Sequence, residues 1–184
     1  MDTAARRAHL LEHARELFEA RSYDDVSIDD LCAAAGVSKG LLYHYFEGKH
    51  GLYVDVVRAG AAELLEAVLA ITTLDIDPAL RMERALDGWL VFAQAHPRTF
   101  VSAVRGGVGV DAQVVSIVDE LHDTFVQLLA FGLGREIDDR EQLALRGWVG
   151  FVESITIAWL VAPTAAASDE VRAACITAFP LERA

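Results

Sequence analysis

Lysine is almost missing from this chain: Lys39 and Lys49 are its only two in 184 residues. With 16 Lys+Arg against 28 Asp+Glu, the formal net charge is −12. That deficit excludes indiscriminate coating of a polyanion, because such affinity grows with the number of phosphates neutralised. Two cysteines, Cys32 and Cys175, far apart in sequence, exclude a disulfide framework. The six histidines lack ligand spacing with cysteines or acids, apart from His9 and His13 on one helix face, so no metal site is expected. There is no Gly-Xaa-Ser-Xaa-Gly, no P-loop and no dinucleotide fingerprint, so neither a catalytic constellation nor a cofactor is expected. Arg6, Arg7 and Glu12 interrupt any apolar run of the kind a signal peptide needs. The longest uncharged stretch, Ser154 to Ser168, is broken by Pro163 and is too short to span a bilayer. The expectation is a cytoplasmic, non-enzymatic protein that does not enter a membrane.

What is present is apolar and helical. The hydrophobic fraction is 53%, too high for disorder, and the length suffices for a small head and one larger body. The acid is unevenly spread. Residues 1–54 hold 6 Lys+Arg and 9 Asp+Glu, leaving the remaining 130 residues with 10 and 19. From Val37 to His50 one acid, Glu47, faces both lysines.

That stretch belongs to a segment, Ser27 to Lys49, with the marks of two short helices and a tight turn. Ser27 is a natural N-cap with Asp30 three residues on, Ile28, Leu31 and Cys32 recur at helical spacing, and Gly36 can take the positive φ that ends a helix. Ala33, Ala34 and Ala35 are small enough to admit a second helix, which Ser38 caps. At 100° per residue Leu42 and Phe46 fall on one side of that second helix, with Tyr45 beside them. Gly40, Tyr43 and His44 fall on the other, flanked by Lys39 and Leu41. Such a face offers phosphate donors, base-reading edges and little bulk, as a helix entering a major groove requires. The arrangement predicts a helix-turn-helix.

The Ala-Gly-Val-Ser turn, the Lys-Gly-Leu-Leu-Tyr-His-Tyr-Phe helix and the following Lys49 resemble the DNA-binding domain of the TetR family of bacterial regulators. The resemblance covers about the first quarter of the chain closely. It implies that Tyr43 and Lys49 hold phosphates, and that Lys39, Gly40 and His44 lie nearest the bases. Ser27 and Ser38 can cap helices and touch phosphate as well. Many members carry threonine where Leu41 stands; leucine cannot donate, so that contact is absent or becomes an apolar one.

The rest of the chain reads as helix throughout. A first helix spans about Thr3 to Ala20, burying Leu10, Leu11, Ala14, Leu17 and Phe18. Arg6 and Arg7 at its start either reach a DNA backbone or are solvated. A long helix from about Lys49 to Ile71 connects head to body. Asp77-Pro78 starts another that ends before Pro97, and His96-Pro97 opens a short one. A loop containing Gly106, Gly107 and Gly109 follows. Asp111 caps a helix ended by Gly132 and Gly134, Asp138 or Asp139 caps the next, which stops at Pro163, and a last one covers about Asp169 to Phe179. The fold class is therefore all-α with about nine helices: a helix-turn-helix domain over residues 1–50 and a helical effector-binding and dimerisation domain over 51–184. Beyond Arg146 the helix from Asp139 to Ala162 is apolar on nearly every side, so one side needs a partner. The expected partner is the same surface of a second subunit, through helices 139–162 and 169–179, with Gly147 and Gly150 allowing close approach.

Trp89, Phe92, Phe125, Trp148 and Phe151, with Phe100 and Trp159, are candidates either for a ligand cavity or for plain core. His122 reads as a core or interface histidine, and Glu153 as the partner of an arginine such as Arg105. The function expected is a homodimeric transcriptional repressor, released from a palindromic double-stranded DNA operator by a small-molecule effector. The alternative is a helical small-molecule-binding or scaffold protein with weak or lost DNA binding, a reading the acidic balance and Leu41 support.

Overall fold

The structure is a computed structural model that describes residues 3–105, 111–162 and 166–181. Among them are nine helices and no strand: α1 (Thr3–Ala20), α2 (Ile28–Ala35), α3 (Lys39–Tyr45), α4 (Gly48–Thr72), α5 (Pro78–Ala95), α6 (Pro97–Val104), α7 (Ala112–Gly132), α8 (Asp139–Val161) and α9 (Ser168–Thr177). The expected stops at Gly106, Gly107, Gly109 and Pro163 lie outside the described residues.

Helix ends follow local chemistry. Ser27 accepts from the Asp30 amide at 3.1 Å while the Asp30 carboxylate accepts from the Ser27 amide at 2.8 Å, a reciprocal capping box. Gly36 ends α2 at φ +65°, a conformation that disfavours any residue with a Cβ. The Asp77 carboxylate accepts from Ala79 at 2.8 Å, starting α5, and that of Asp111 accepts from Gln113 at 2.9 Å, starting α7. For α8 the cap is Asp138, whose box with Glu141 is closed in both directions.

The helices form two compact units. The first holds residues up to Ala61 together with His96–Ile117, and the second holds Ala62–Ala95 and the residues from Val118 onward. Packing thus divides α4 near Ala61, with α6 and the start of α7 in the first unit. In the first unit Leu10, Ala14 and Phe18 of α1, Val26, Leu31, Leu42, Phe46 and Leu52 are all at most 4% exposed and make one core. Tyr23 and Tyr53 close it by an edge contact with ring centroids 5.0 Å apart. Of the three alanines expected to admit α3, only Ala35 is buried; Ala33 and Ala34 face solvent. α6 has no cap of its own and takes one from α1: Glu19 accepts from the amides of Arg98 at 3.0 Å and Thr99 at 2.8 Å.

The second unit packs α5, α8 and α9 around Trp89, Leu90, Leu145, Trp148, Val152, Val171 and Cys175, all buried. The Trp89 indole donates to the Thr156 hydroxyl at 3.0 Å, and the Trp148 indole donates to the Cys175 carbonyl at 2.9 Å. α8 is long and apolar enough, by length and composition, to cross a bilayer. In this fold one side of it is core, from Leu145 to Ile157, and it carries the buried Glu153.

Candidate nucleic-acid interface and ligand cavity

α3 has seven residues, too few to be stable alone, and is held from beneath. Leu42 is fully buried and Phe46, its C-cap, is 4% exposed. Ser38 caps the helix, its hydroxyl accepting from the Leu41 amide at 3.2 Å. With the buried side thus pinned, Lys39, Gly40, Tyr43 and His44 are exposed, Tyr43 at 58%. Leu41 and Tyr45 are half-buried at the edges. A Cβ on Gly40 would approach only the Ser38 hydroxyl, at 3.9 Å, so the chain itself leaves that spot open. Ser27 is exposed at the start of α2.

The two lysines are already engaged. Lys39 Nζ lies 2.8 Å from Asp29 Oδ1 of α2, and that hydrogen bond raises the lysine pKa. Lys49, half-buried at the start of α4, donates to the Tyr23 carbonyl at 2.9 Å, and its ammonium stands 4.2 Å from the centre of the Tyr23 ring. Its remaining protons stay available to a phosphate, but the side chain also ties α4 to the loop after α1. Arg7 is engaged as well, 2.5 Å from Asp55 and over the Phe46 ring, although it stays exposed like Arg6. His9 donates to the Ala35 carbonyl at 3.0 Å and so joins α1 to α2, whereas His13 pairs with Glu16 at 3.1 Å within α1. None of these partners is announced in sequence, because each joins different helices or a helix and a loop, apart from His13 and Glu16 three residues apart.

Burial raises the thiol pKa of both cysteines, that of Cys175 to about 11, and neither is poised as a thiolate.

The second unit contains a cavity of about 370 Å³ between α4, α5, α7, α8 and the chain after α9. Of the aromatic candidates, Trp89, Phe125 and Trp148 line it, joined by Met82, Leu129 and Phe179. Phe92 and Phe151 are not among its lining residues, and Phe151 is 40% exposed on the far side of α8. Phe100 is buried in the first unit, and the Trp159 indole donates to the Ala166 carbonyl. The neighbour recorded for Glu153 is a histidine of its own unit: its carboxylate lies 2.6 Å from Nε2 of His122 on α7. A histidine reaches that buried carboxylate with less side chain to order than an arginine would need.

Comparison with known proteins finds similarity both in the sequence of the helix-turn-helix and in the fold. The family profile for bacterial regulatory proteins of the tetR family matches residues 10–56, from Leu10 of α1 into α4. The activator FasR of Mycolicibacterium smegmatis is 27% identical over 144 residues, covering 76% of this chain and 66% of that protein. The repressor AcnR of Corynebacterium diphtheriae is 31% identical over 67 residues, 36% of this chain and 35% of the relative. The chain thus spans two thirds or less of these curated relatives. A tetR-family transcriptional regulator from Streptomyces coelicolor superposes with a TM-score of 0.86 at 27% identity, covering 97% of this chain and 80% of that one. Residues 10–56 thus match the tetR family of bacterial regulatory proteins in sequence, and the described residues as a whole are similar in fold to a regulator of that family.

Proposed function

We propose that the protein is a DNA-binding transcriptional regulator, acting as a homodimer and controlled by a small-molecule effector. One observation carries the reading: Leu42 and Phe46 are buried beneath α3 while Lys39, Gly40, Tyr43 and His44 stand exposed above it. Residues 1–50 supply the DNA-binding part. Ser27, Ser38, Tyr43 and Lys49 meet phosphates, Lys39, Gly40 and His44 meet base edges, and Leu41 offers an apolar contact to a thymine methyl. The sign of regulation, repression on the simplest view, follows from where the operator lies relative to the promoter.

Residues 51–184 supply effector binding and dimerisation. Leu143, Gly147, Phe151, Ser154, Ala158 and Val161 form one exposed stripe on α8, with Leu143 at 71% and Val161 at 54% exposure. Such a stripe suits a two-fold interface with its own copy, joined by α9. The effector occupies the cavity beside Trp89, Phe125 and Trp148. α4 is one continuous helix from the turn after α3 to Thr72 on the cavity wall, so it can carry the coupling.

The test is a mobility shift on the DNA flanking the protein's own gene. Tyr43→Ala should weaken binding to every sequence alike, while changes at Lys39 or His44 should alter base preference by ~1–3 kcal/mol at one position per half-site. Retention of the same preference after both are replaced removes them from base reading. A second reading, a ligand-binding protein with feeble DNA affinity, is favoured by the internal partners of both lysines; absence of any salt-dependent shift would select it.

A further inference from the structure

The cavity wall is nearly all hydrocarbon, and several of its N–H and O–H donors are already used within the protein. The indole N–H groups of Trp89 and Trp148 are both donated within the protein, to Thr156 and to Cys175. The Thr72 hydroxyl donates to the Leu69 carbonyl at 2.7 Å. At the glycine turn after α7, the Gly134 amide donates to Phe131 and the Leu133 amide to Leu129. Arg81 is different. It is the one charged side chain among the described residues that line the cavity. Its Nη2 is anchored by the carbonyls of Leu74 and Ile76, both at 3.2 Å, which fixes the guanidinium at the end of the cavity where α4 stops and α5 starts. Its Nε is buried with no hydrogen-bond partner, and no carboxylate pairs with it among the described residues. A buried cationic donor without an acceptor costs free energy that an incoming anion would recover.

We infer that the effector is an anionic amphiphile: an apolar tail lies among Phe125, Leu129, Trp148 and Val152, and a carboxylate or similar anionic head pairs with the Arg81 guanidinium. This deepens the reading of the cavity as the effector site and rests on it. A volume near 370 Å³ is at the low end for ligand pockets, roughly 300–1,000 Å³. It selects a tail of modest length, and the absence of an acid in the described lining disfavours a cationic head.

Three probes with alkyl chains of nearly the same length and different heads separate the possibilities: decanoate, decanol and decyltrimethylammonium, each below its micelle concentration. Trp89 and Trp148 in the wall report occupancy by fluorescence. Decanoate should bind about tenfold or more tightly than decanol, as a charge-assisted hydrogen bond warrants, and the ammonium probe more weakly than either. Arg81→Gln should erase the preference for decanoate while leaving decanol binding unchanged, and Arg81→Lys should keep most of it. Equal affinity of decanoate and decanol, a preference that survives in Arg81→Gln, or failure of all three probes to bind overturns the inference. Decanoate that binds through Arg81 yet leaves the mobility shift on operator DNA unaltered supports the anionic-head assignment and counts against the regulatory reading beneath it.

Discussion

Asp29→Asn should tighten operator binding although it weakens the domain that binds. The carboxylate holds Lys39 Nζ at 2.8 Å, and the two side chains are 75% and 57% exposed. At such exposure an ion pair is worth only ~0.2–1 kcal/mol. A phosphate or base that takes the lysine must first displace Asp29, so removing the competitor returns at most that amount, an affinity gain of about 1.4- to 5-fold. Asp29 also sits in the first turn of α2, where a negative charge complements the helix dipole, and its loss costs about 0.3–1 kcal/mol of stability. Affinity and stability therefore move in opposite directions, which a general loosening of the fold would not produce. Fluorescence anisotropy with a labelled operator duplex measures the first, and urea denaturation the second. The gain should be largest at low salt and shrink as screening weakens the pair. Binding that is unchanged or weaker in a folded Asp29→Asn protein refutes the argument. So does a gain of equal size in a Lys39→Met background, where there is no lysine to release.

Three further outcomes are expected. The Asp30 carboxylate is held down to about 2, first by the Ser27 hydroxyl, then by the Ser27 amide and Arg21; because its folded pKa lies below the unfolded value, its stabilising effect is complete above about pH 4 and fades as pH falls toward 2. The difference in urea midpoint between wild type and Asp30→Asn should close over that window; a constant difference from neutral pH to pH 2 would contradict it. Leu42→Ala should cost ~2–5 kcal/mol of unfolding free energy in the head and abolish DNA binding, since the residue is fully buried beneath α3; a loss under 1 kcal/mol would mean the seat is elsewhere. A Cβ at Gly147 or Gly150 would meet no described atom within 4 Å beyond the helix's own backbone, so Gly147→Leu and Gly150→Arg should each leave the subunit folded by circular dichroism yet shift sedimentation toward monomer; an unchanged dimer would move the interface off this face.

The one-dimensional order of residues determined the helices and the outward face of α3. Ser27 with Asp30, Ser38, Asp77 before Pro78, Asp138 with Glu141, and Gly36 act over at most four residues, so the spacing that makes a cap or a stop is visible in the sequence itself. The same holds for the alternation that buries Leu42 and Phe46 and exposes Tyr43 and His44, because 3.6 residues per turn is a local property. The partners of those exposed residues are another matter. Asp29 meets Lys39, the Tyr23 carbonyl and ring receive Lys49, Glu19 caps α6, and His122 faces Glu153. Each depends on the angle and depth at which helices pack, which no periodicity encodes. The cavity follows the same rule. Aromatic content nominated Trp89, Phe125 and Trp148 together with Phe92 and Phe151, and only packing separated the first three from the other two. Arg81 went unnoticed in sequence because an arginine early in a helix is ordinarily solvated; its significance comes from being folded back onto the Leu74 and Ile76 carbonyls at the end of an apolar cavity. The division of the units near Ala61, with α6 added to the head, is likewise a product of side-chain burial between distant segments, which the sequence lists but does not bring together.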